Sequence, residues 1–238
     1  MSHGYYQLLN GRVAAIDGDC AFPPLNQALA EPNGLIAIGG DLSPTRLISA
    51  YKQGIFPWSN FDPLNEGDPI CWYSPNPRMV LFADELKIAS SLKKTLKKNL
   101  FEVRFNSVFK QVITACSQTA RHDQPGTSSS GTWISPDMIA AYCQLHNLGH
   151  AICMESWQND QLVGACYGIK IGRMFYGESM FHTQTDASKV AFVHLVNYLK
   201  NQSVEMIDCQ MKTPLLASFG GREIAREDFM QLLAKLVN

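Results

Sequence analysis

The chain has 238 residues, of which 46% are hydrophobic, so it can bury a sizeable core in one large domain or in two smaller ones. Its 20 Lys and Arg against 21 Asp and Glu give a net charge of −1, which excludes a protein that is basic throughout. The seven cysteines form no Cys-x-x-Cys pair, no leader pattern opens the chain, and no apolar run approaches the roughly 20 residues of a membrane span. We therefore expect a reduced, cytoplasmic protein without a membrane-spanning segment.

The first predicted helix follows a pair of glycines. Ser43-Pro44 fits an N-cap followed by proline at the first helical position, and the pattern predicts a helix through Leu47 that Gly54 closes. Gly39-Gly40 raises the alternative of a phosphate-binding loop, but the Gly-Lys-Ser/Thr ending of such loops is absent. A turn that needs positive φ is the preferred interpretation.

Residues 55–78 are rich in Pro, Trp and Tyr, which predicts a rigid loop that displays aromatic faces, including those of Trp58 and Trp72. Such faces can stack on nucleobases. The more common role of such residues is to anchor a loop to the core.

Residues 84–99 predict an amphipathic helix with Ile88, Leu92 and Leu96 on its apolar side. Five lysines fall within an arc of roughly 140° beside them; these are Lys87, Lys93, Lys94, Lys97 and Lys98, which we call the lysine stripe. A solvated helix face is the usual explanation. With no interleaved acid, however, the lysine stripe also suits a phosphate backbone.

A strand at 101–105 and a helix at about 108–118 precede a serine-rich loop, and Ser135-Pro136 opens another helix that ends near Leu148. His146 and His150 have the spacing of helical metal ligands. No Glu follows His146, and Gly149 is expected to end the helix between the two, so no metal site is expected.

The rest of the chain predicts an α+β domain. Three consecutive strands are expected at 151–157, 162–169 and 174–181, then a helix at 187–201, a strand at 204–210 and helices at 214–219 and 226–237. This element order is similar to the half of an N-acetyltransferase that holds the acyl donor.

The strand at 204–210 ends with two polar residues, Asp208 and Gln210. Alternation along a strand puts both on one face, where the carboxylate could accept a hydrogen bond from the Gln amide. The competing interpretation is a strand end that leaves the core for solvent.

Several of these segments together resemble the bacterial leucyl/phenylalanyl-tRNA-protein transferase family over about residues 22–230. The matching motifs are Glu31-Pro32-Asn33-Gly34, Gly39-Gly40-Asp41-Leu42-Ser43-Pro44, Gly54-Ile55-Phe56-Pro57-Trp58, Ser74-Pro75, Pro77-Arg78, Gly131-Thr132-Trp133-Ile134, Gly149-His150-Ala151, Gly177-Glu178-Ser179-Met180-Phe181, Ala187-Ser188-Lys189 and Ile207-Asp208-Cys209-Gln210. The chain departs from the family pattern in a longer loop at 121–131 and in lacking the tail of some relatives.

The resemblance implies transfer of Leu, Phe or, less well, Met from an aminoacyl-tRNA to the α-amine of proteins that begin with Arg or Lys, which marks them for degradation. It also implies a small N-terminal α/β domain (1–75) and a larger domain (76–238) resembling the N-acetyltransferase (GNAT-like) fold. No coenzyme A, other cofactor or metal is expected, and no pyrophosphate-binding loop follows Phe181. A monomer is expected.

The resemblance also implies roles for particular residues. Gln210 would hold the incoming amine while Asp208 orients it, and Glu178 would contact the acceptor's basic side chain or the terminal ribose. Trp58 and Trp133 would contact the terminal adenosine, and the lysine stripe would contact the tRNA backbone. An apolar slot for the transferred side chain is expected from Phe175, Met180, Leu195, Leu199 and Ile207.

Two other functions stay open from the residues alone. An acetyltransferase that uses acetyl-CoA would fit the element order, although the pyrophosphate loop is missing. A non-catalytic RNA-binding module would use the lysine stripe and the loop tryptophans, but it has no role for Asp208 and Gln210.

Overall fold

The computed structural model describes residues 4–8, 11–18, 21–58, 69–119 and 133–237, and in these residues the chain forms two mixed β-sheets and seven α-helices. The predicted loop at 121–131 lies outside the described residues. No helix among the described residues is long and apolar enough to cross a membrane.

The first sheet is built from the N-terminal third of the chain. Its strands are β1 (Gly4–Leu8), β2 (Gly11–Ile16), β3 (Leu35–Gly39), β4 (Phe56–Pro57) and β5 (Cys71–Tyr73), in the order β1-β2-β3-β5-β4. Only the β2–β3 pair is parallel among them. The prediction of a loop at 55–78 is wrong at β4 and β5. Trp72 is fully buried in β5 and donates to the Gly39 carbonyl oxygen, so the interpretation as an anchor to the core is confirmed for this residue.

The second sheet has seven strands and contains Glu178, Asp208 and Gln210. Its strands are β6 (Arg78–Phe82), β7 (Glu102–Phe105), β8 (Ala151–Gln158), β9 (Gln161–Ile171), β10 (Met174–His182), β11 (Met206–Gln210) and β12 (Arg222–Ile224), in the order β12-β6-β11-β10-β9-β8-β7. Strand β11 runs parallel to β10 and antiparallel to β6. It therefore lies inside the sheet, and its residues are held from both sides.

Three of the seven described helices begin where the sequence supplies a capping side chain. The seven are α1 (Pro44–Lys52), α2 (Ser90–Lys97), α3 (Phe109–Ser117), α4 (Pro136–Asn147), α5 (Ala187–Asn201), α6 (Pro214–Ser218) and α7 (Arg226–Leu236). Helices α1, α4 and α6 each start at a proline whose preceding Ser or Thr hydroxyl accepts a backbone N–H, from Arg46, Met138 and Leu216 respectively. This arrangement satisfies one of the free donors at each helix start.

The predicted helix at 84–99 is too long at its start. A short 3₁₀ turn covers Ala83–Glu85, and α2 begins only at Ser90 because Ala89 has the extended backbone angles of a helix cap. Lys87 therefore lies outside the helix, and its backbone N–H donates to Phe219. The other members of the lysine stripe lie on α2 or at its C-terminal cap.

Two apolar cores lie on opposite faces of the second sheet. Met174, Tyr176 and Met206 belong to the core that also contains residues of the first sheet, α3, α4 and α7. Phe175 and Ile207, the next residues along the same strands, belong to the core formed with α5. This alternation is what strand geometry requires of a sheet that is covered on both faces.

Candidate active site

A cavity of about 600 Å³ lies at the ends of β10 and β11. Its apolar lining includes Phe175, Met180, Leu195 and Ile207, four of the five residues predicted for an apolar slot. The fifth, Leu199, does not line the cavity and belongs to the core formed with α5, so this part of the prediction is wrong. Sequence reasoning missed further lining residues from β9, α5, β11 and α6, namely Cys166, Phe192, Cys209, Leu215 and Leu216.

Two neighbouring β-bulges put polar groups at the edge of this cavity. The register of β10 with β9 shifts between Gly177 and Ser179, and the register of β11 with β6 shifts between Asp208 and Gln210. The residues inside the shifts are Glu178 and Cys209. A bulge redirects side chains away from strict alternation, so Glu178 and Gln210 both line the same cavity.

Glu178 is held by two buried phenols. The Tyr51 hydroxyl of α1 donates to Glu178 Oε1 at 2.7 Å, and the Tyr142 hydroxyl of α4 donates to Oε2 at 2.9 Å. The two hydroxyl oxygens also lie within hydrogen-bond distance of each other. Three segments distant in sequence thus meet at one carboxyl group, a grouping that no sequence spacing indicated.

Burial dominates the ionisation of this cluster. Removal of the carboxyl from water raises the pKa of Glu178 to about 7, although the hydrogen bonds from Tyr51 and Tyr142 lower it. Burial, followed by the nearby charge of Glu178, raises the pKa of both tyrosines well above the ordinary value. Glu178 can therefore gain or lose a proton near neutral pH, while the phenols stay protonated.

Asp208 is fully buried and has a different partner from the predicted one. Arg78 of β6 donates through Nε to Oδ1 at 2.8 Å and through Nη2 to Oδ2 at 2.6 Å, and Arg78 is also fully buried. The guanidinium lies between the rings of Phe56 and Phe229, 4.8 and 4.7 Å from their centroids. The alternative of an exposed strand end is therefore wrong.

The predicted hydrogen bond between the Gln210 side chain and Asp208 is also absent. Asp208 Oδ1 instead accepts the backbone N–H of Gln210 at 2.9 Å, and the Gln210 amide Nε2 faces Glu178 Oε1 at 3.4 Å. Gln210 has φ of 55° at the bulge, which turns its side chain out of the simple i, i+2 alternation. Asp208 fixes the backbone of Gln210 and does not touch its amide.

The two tryptophans predicted to contact the donor both line the cavity. Trp58 is partly exposed and packs edge-on against Tyr73, with ring centroids 5.5 Å apart. Trp133 is 6% exposed. The structure therefore brings together the aromatic residues, the Glu178–Gln210 pair and the apolar lining.

The lysine stripe is exposed throughout, whereas Leu92 is buried and Ile88 and Leu96 are partly buried in the core beneath α5. The predicted partition of this segment into charged and apolar sides is thus confirmed, apart from the later helix start. None of the five lysines lines the cavity.

A second, open cavity of about 740 Å³ lies between α3 and α4. Its lining includes Lys110, Gln118 and His146 and contains no Asp or Glu. His146 stacks on Phe109, and its Nδ1 lies 2.9 Å from the Ala151 carbonyl oxygen. Over the described ranges, no group of three or more His, Cys, Asp or Glu could hold a metal ion.

Comparison with known proteins gives a consistent result. The family model described as leucyl/phenylalanyl-tRNA protein transferase matches residues 80–234, and the model for the N-terminal domain of the same family matches residues 40–76. Leucyl/phenylalanyl-tRNA–protein transferases from Nitrosospira multiformis and Flavobacterium johnsoniae are 54% and 50% identical to the chain. The alignments cover 94% and 90% of this chain and 91% and 96% of those proteins. Among solved structures, FemX aligns with a TM-score of 0.49 at 9% identity over 97% of this chain and 85% of its own.

Proposed function

The chain belongs to the leucyl/phenylalanyl-tRNA–protein transferase family and is an aminoacyltransferase, and from that premise we propose its substrates. The donors are Leu-, Phe- and, less efficiently, Met-tRNA. The acceptors are proteins that begin with Arg or Lys, and the added residue marks them for degradation through the N-terminal degron pathway. The observation that carries the proposal is the apolar cavity with Glu178 and Gln210 at its edge.

The cavity suits the side chain of the transferred residue. Its volume of about 600 Å³ falls within the ordinary range for small-molecule sites, and its lining is mostly apolar. Phe175 and Ile207 supply a rigid surface from the sheet, whereas Met180 is a flexible wall that adapts to unlike shapes. Such a slot suits the side chains of Leu, Phe and Met.

An aminoacyl ester is already activated, so transfer needs chiefly the alignment of amine and ester. Gln210 donates its amide nitrogen toward Glu178, which leaves its carbonyl oxygen to accept from the acceptor's α-amine. Asp208 acts on Gln210 through the backbone, since it accepts the Gln210 N–H and is itself fixed by Arg78. Gln210 is thus the catalytic residue in this proposal and Asp208 its positioning residue.

Trp58 and Trp133 would contact the terminal adenosine of the donor. In support, both line the cavity that would hold the ester. The exposed lysine stripe would contact the acceptor stem through phosphates, without reading its sequence. Glu178 faces the space where the acceptor or the terminal ribose would lie.

Residues 1–75 are proposed as a small N-terminal domain and residues 76–238 as the catalytic domain with a resemblance to N-acetyltransferases. In support, all strands of the first sheet precede Ser74, and all strands of the second sheet follow Pro77. The protein is proposed to act as a monomer in the cytoplasm, where its donor is made, with no cofactor.

The decisive experiment offers two donors and three acceptors. The protein is incubated with labelled Leu-tRNA or labelled acetyl-CoA and with peptides that differ only in a first residue of Arg, Lys or Met. Transfer from Leu-tRNA to the Arg and Lys peptides, with none to the Met peptide, is the expected result. Transfer from acetyl-CoA, or equal use of all three peptides, would reject the proposed substrates.

A further inference from the structure

The carboxyl of Glu178 is the meeting point of a three-membered hydrogen-bond ring. Its two oxygens accept from Tyr51 and Tyr142, and the hydroxyls of these tyrosines contact each other. Both tyrosines are fully buried, and Glu178 is 9% exposed, on the side that lines the cavity. Glu178 is therefore the only member of this ring with access to a ligand there.

The number of available protons differs between the two ionisation states of the ring. The ring has three oxygen–oxygen contacts, but the two phenols supply only two protons. When Glu178 is ionised, one contact lacks a proton. When Glu178 holds a proton, each contact has one and the ring is closed. Glu178 can therefore hold a proton without loss of any of the three contacts, whereas in its ionised form it accepts from both phenols.

The surroundings of Glu178 contain few other charges. Asp208 and Arg78 lie on the neighbouring strands and act on it in opposite directions, the Asp208 charge raising its pKa and the Arg78 charge lowering it. They form a buried pair, so their effects largely offset each other. The Gln210 amide is neutral, and the Tyr176 hydroxyl donates to the Tyr51 carbonyl oxygen, not to Glu178.

We propose that Glu178 takes the proton from the acceptor's α-amine during transfer, and that Tyr51 and Tyr142 are positioning residues that hold the Glu178 carboxylate and set its basicity. This inference rests on the proposed function of the site. It differs from a relay through Asp208, because Asp208 contacts neither the Gln210 side chain nor Glu178 through any hydrogen bond in the described residues.

Transfer proceeds by attack of the amine on the ester and collapse of a tetrahedral intermediate. The neutral α-amine attacks the ester carbonyl carbon and a C–N bond forms, while the carbonyl π electrons move to oxygen. Glu178 accepts a proton from the nitrogen. As the tetrahedral intermediate collapses, the C–O bond to the ribose breaks, and Glu178 gives the same proton to the departing ribose oxygen. The enzyme returns to its starting state and no further reactant is needed.

The ionisation of Glu178 matches this task. A general base works best when its pKa lies near the operating pH, and burial raises the pKa of Glu178 to about 7. Gln210 cannot replace it, because a neutral amide does not hold a proton at this pH. Gln210 and Glu178 thus divide the work into holding the amine and taking its proton.

The first test is Glu178→Gln, which keeps the shape of the side chain and removes the base. We expect kcat for transfer from Leu-tRNA to an Arg peptide to fall about 100-fold or more, since general bases contribute on that scale. The KM for the peptide should change by less than about threefold, because the contribution is made in the transition state. An unchanged circular dichroism spectrum and an unchanged Tm show that the variant is folded.

The second test compares Tyr51→Phe and Tyr142→Phe with Tyr176→Phe as the matched control. Each of the first two removes a donor that favours the ionised carboxylate, so the pKa of Glu178 should rise and the acid limb of kcat should move to higher pH by about one unit. Tyr176→Phe also removes a buried hydroxyl, but one bonded to a backbone carbonyl. The acid limb of Tyr176→Phe should coincide with the wild-type limb, because this hydroxyl does not contact Glu178. Ionisation of the acceptor amine is the same in every assay, so it cannot shift the limb of one variant alone.

Two results would overturn the inference. A raised KM for the Arg peptide with kcat retained in Glu178→Gln would make Glu178 a binding partner of the acceptor and not its base. Acid limbs that stay fixed in both Tyr51→Phe and Tyr142→Phe would remove the role of the ring. If the wild-type protein itself fails to transfer Leu, the proposed function has failed, which is a separate and recognisable outcome.

Discussion

Replacing Asp208 by Asn should destabilise the protein strongly, because it leaves a buried guanidinium without its counter-charge. Both members of the Arg78–Asp208 pair have no exposed side-chain surface, and two hydrogen bonds of 2.8 and 2.6 Å join them. Removal of one partner from a buried ion pair costs about 3–5 kcal/mol. For a chain of this length, that corresponds to a loss in Tm of roughly 6 °C or more.

An exposed pair of similar length is the control. Lys212 and Glu223 are 2.8 Å apart, but their side chains are 61% and 34% exposed. Glu223→Gln should cost less than about 1 kcal/mol, since water and salt screen such pairs. Thermal unfolding of the wild type and both variants, followed by circular dichroism in one buffer, gives the comparison. A loss in Tm for Asp208→Asn no greater than for Glu223→Gln would refute the buried pair.

The double variant Arg78→Met with Asp208→Leu extends the test. Apolar replacement of both partners leaves no unpaired charge, and such changes are often close to neutral. We expect the double variant to be more stable than Asp208→Asn alone. If the loss in stability of the double variant equals the sum of the losses for Arg78→Met and Asp208→Leu measured singly, the two residues do not interact.

Three further predictions concern the reaction. Gln210→Ala should lower turnover far more than tRNA affinity, measured by single-turnover transfer and filter binding, and equal losses would contradict a positioning role. Replacing Lys93 and Lys97 by Gln should weaken tRNA binding and reduce the slope of log binding constant against log salt by about one to two units. Lys200→Gln, at a lysine paired with Asp84, should change the slope little. An unaltered slope in the Lys93 and Lys97 variant would exclude the lysine stripe as a tRNA contact. Leu195→Trp should fill the cavity and, in a competition assay, reduce transfer of Phe more than transfer of Leu. An unchanged ratio of Phe to Leu transfer would show that the transferred side chain binds elsewhere.

The C-terminal half of the fold could be predicted because its apolar residues recur with a clear period and because turn and capping residues mark the ends of its elements. The predicted helix at 187–201 coincides with α5, and the three predicted strands correspond to β8, β9 and β10. Ser followed by Pro marked the helix starts at 44 and 136, where a hydroxyl caps the first turn.

The missed strands are those whose local signals point the other way. Strand β6 follows Pro75 and Pro77 and opens with a charged residue, which usually indicates a loop, yet Arg78 is buried because Asp208 neutralises it from β11. Strands β1, β2 and β12 lack a clear alternation of apolar and polar residues and are formed through pairing with their neighbours.

The sequence and the family resemblance named part of the candidate site, but they did not give the contacts within it. Glu178, Asp208 and Gln210 were singled out, but alternation paired the wrong two, because a bulge shifts the register just after Asp208. The Tyr51–Tyr142 contact joins residues 91 positions apart and had no local signal. Side-chain partners over such separations are decided by tertiary packing, which spacing along one strand does not encode.

The most direct test of the account is the structure of the protein with a non-hydrolysable leucyl adenosine, in which an amide replaces the ester. We expect the leucyl side chain between Phe175 and Ile207, the adenine against Trp58 or Trp133, and the carbonyl carbon open to an amine held by Gln210. A leucyl group bound between α3 and α4, with the cavity at Glu178 left empty, would contradict it.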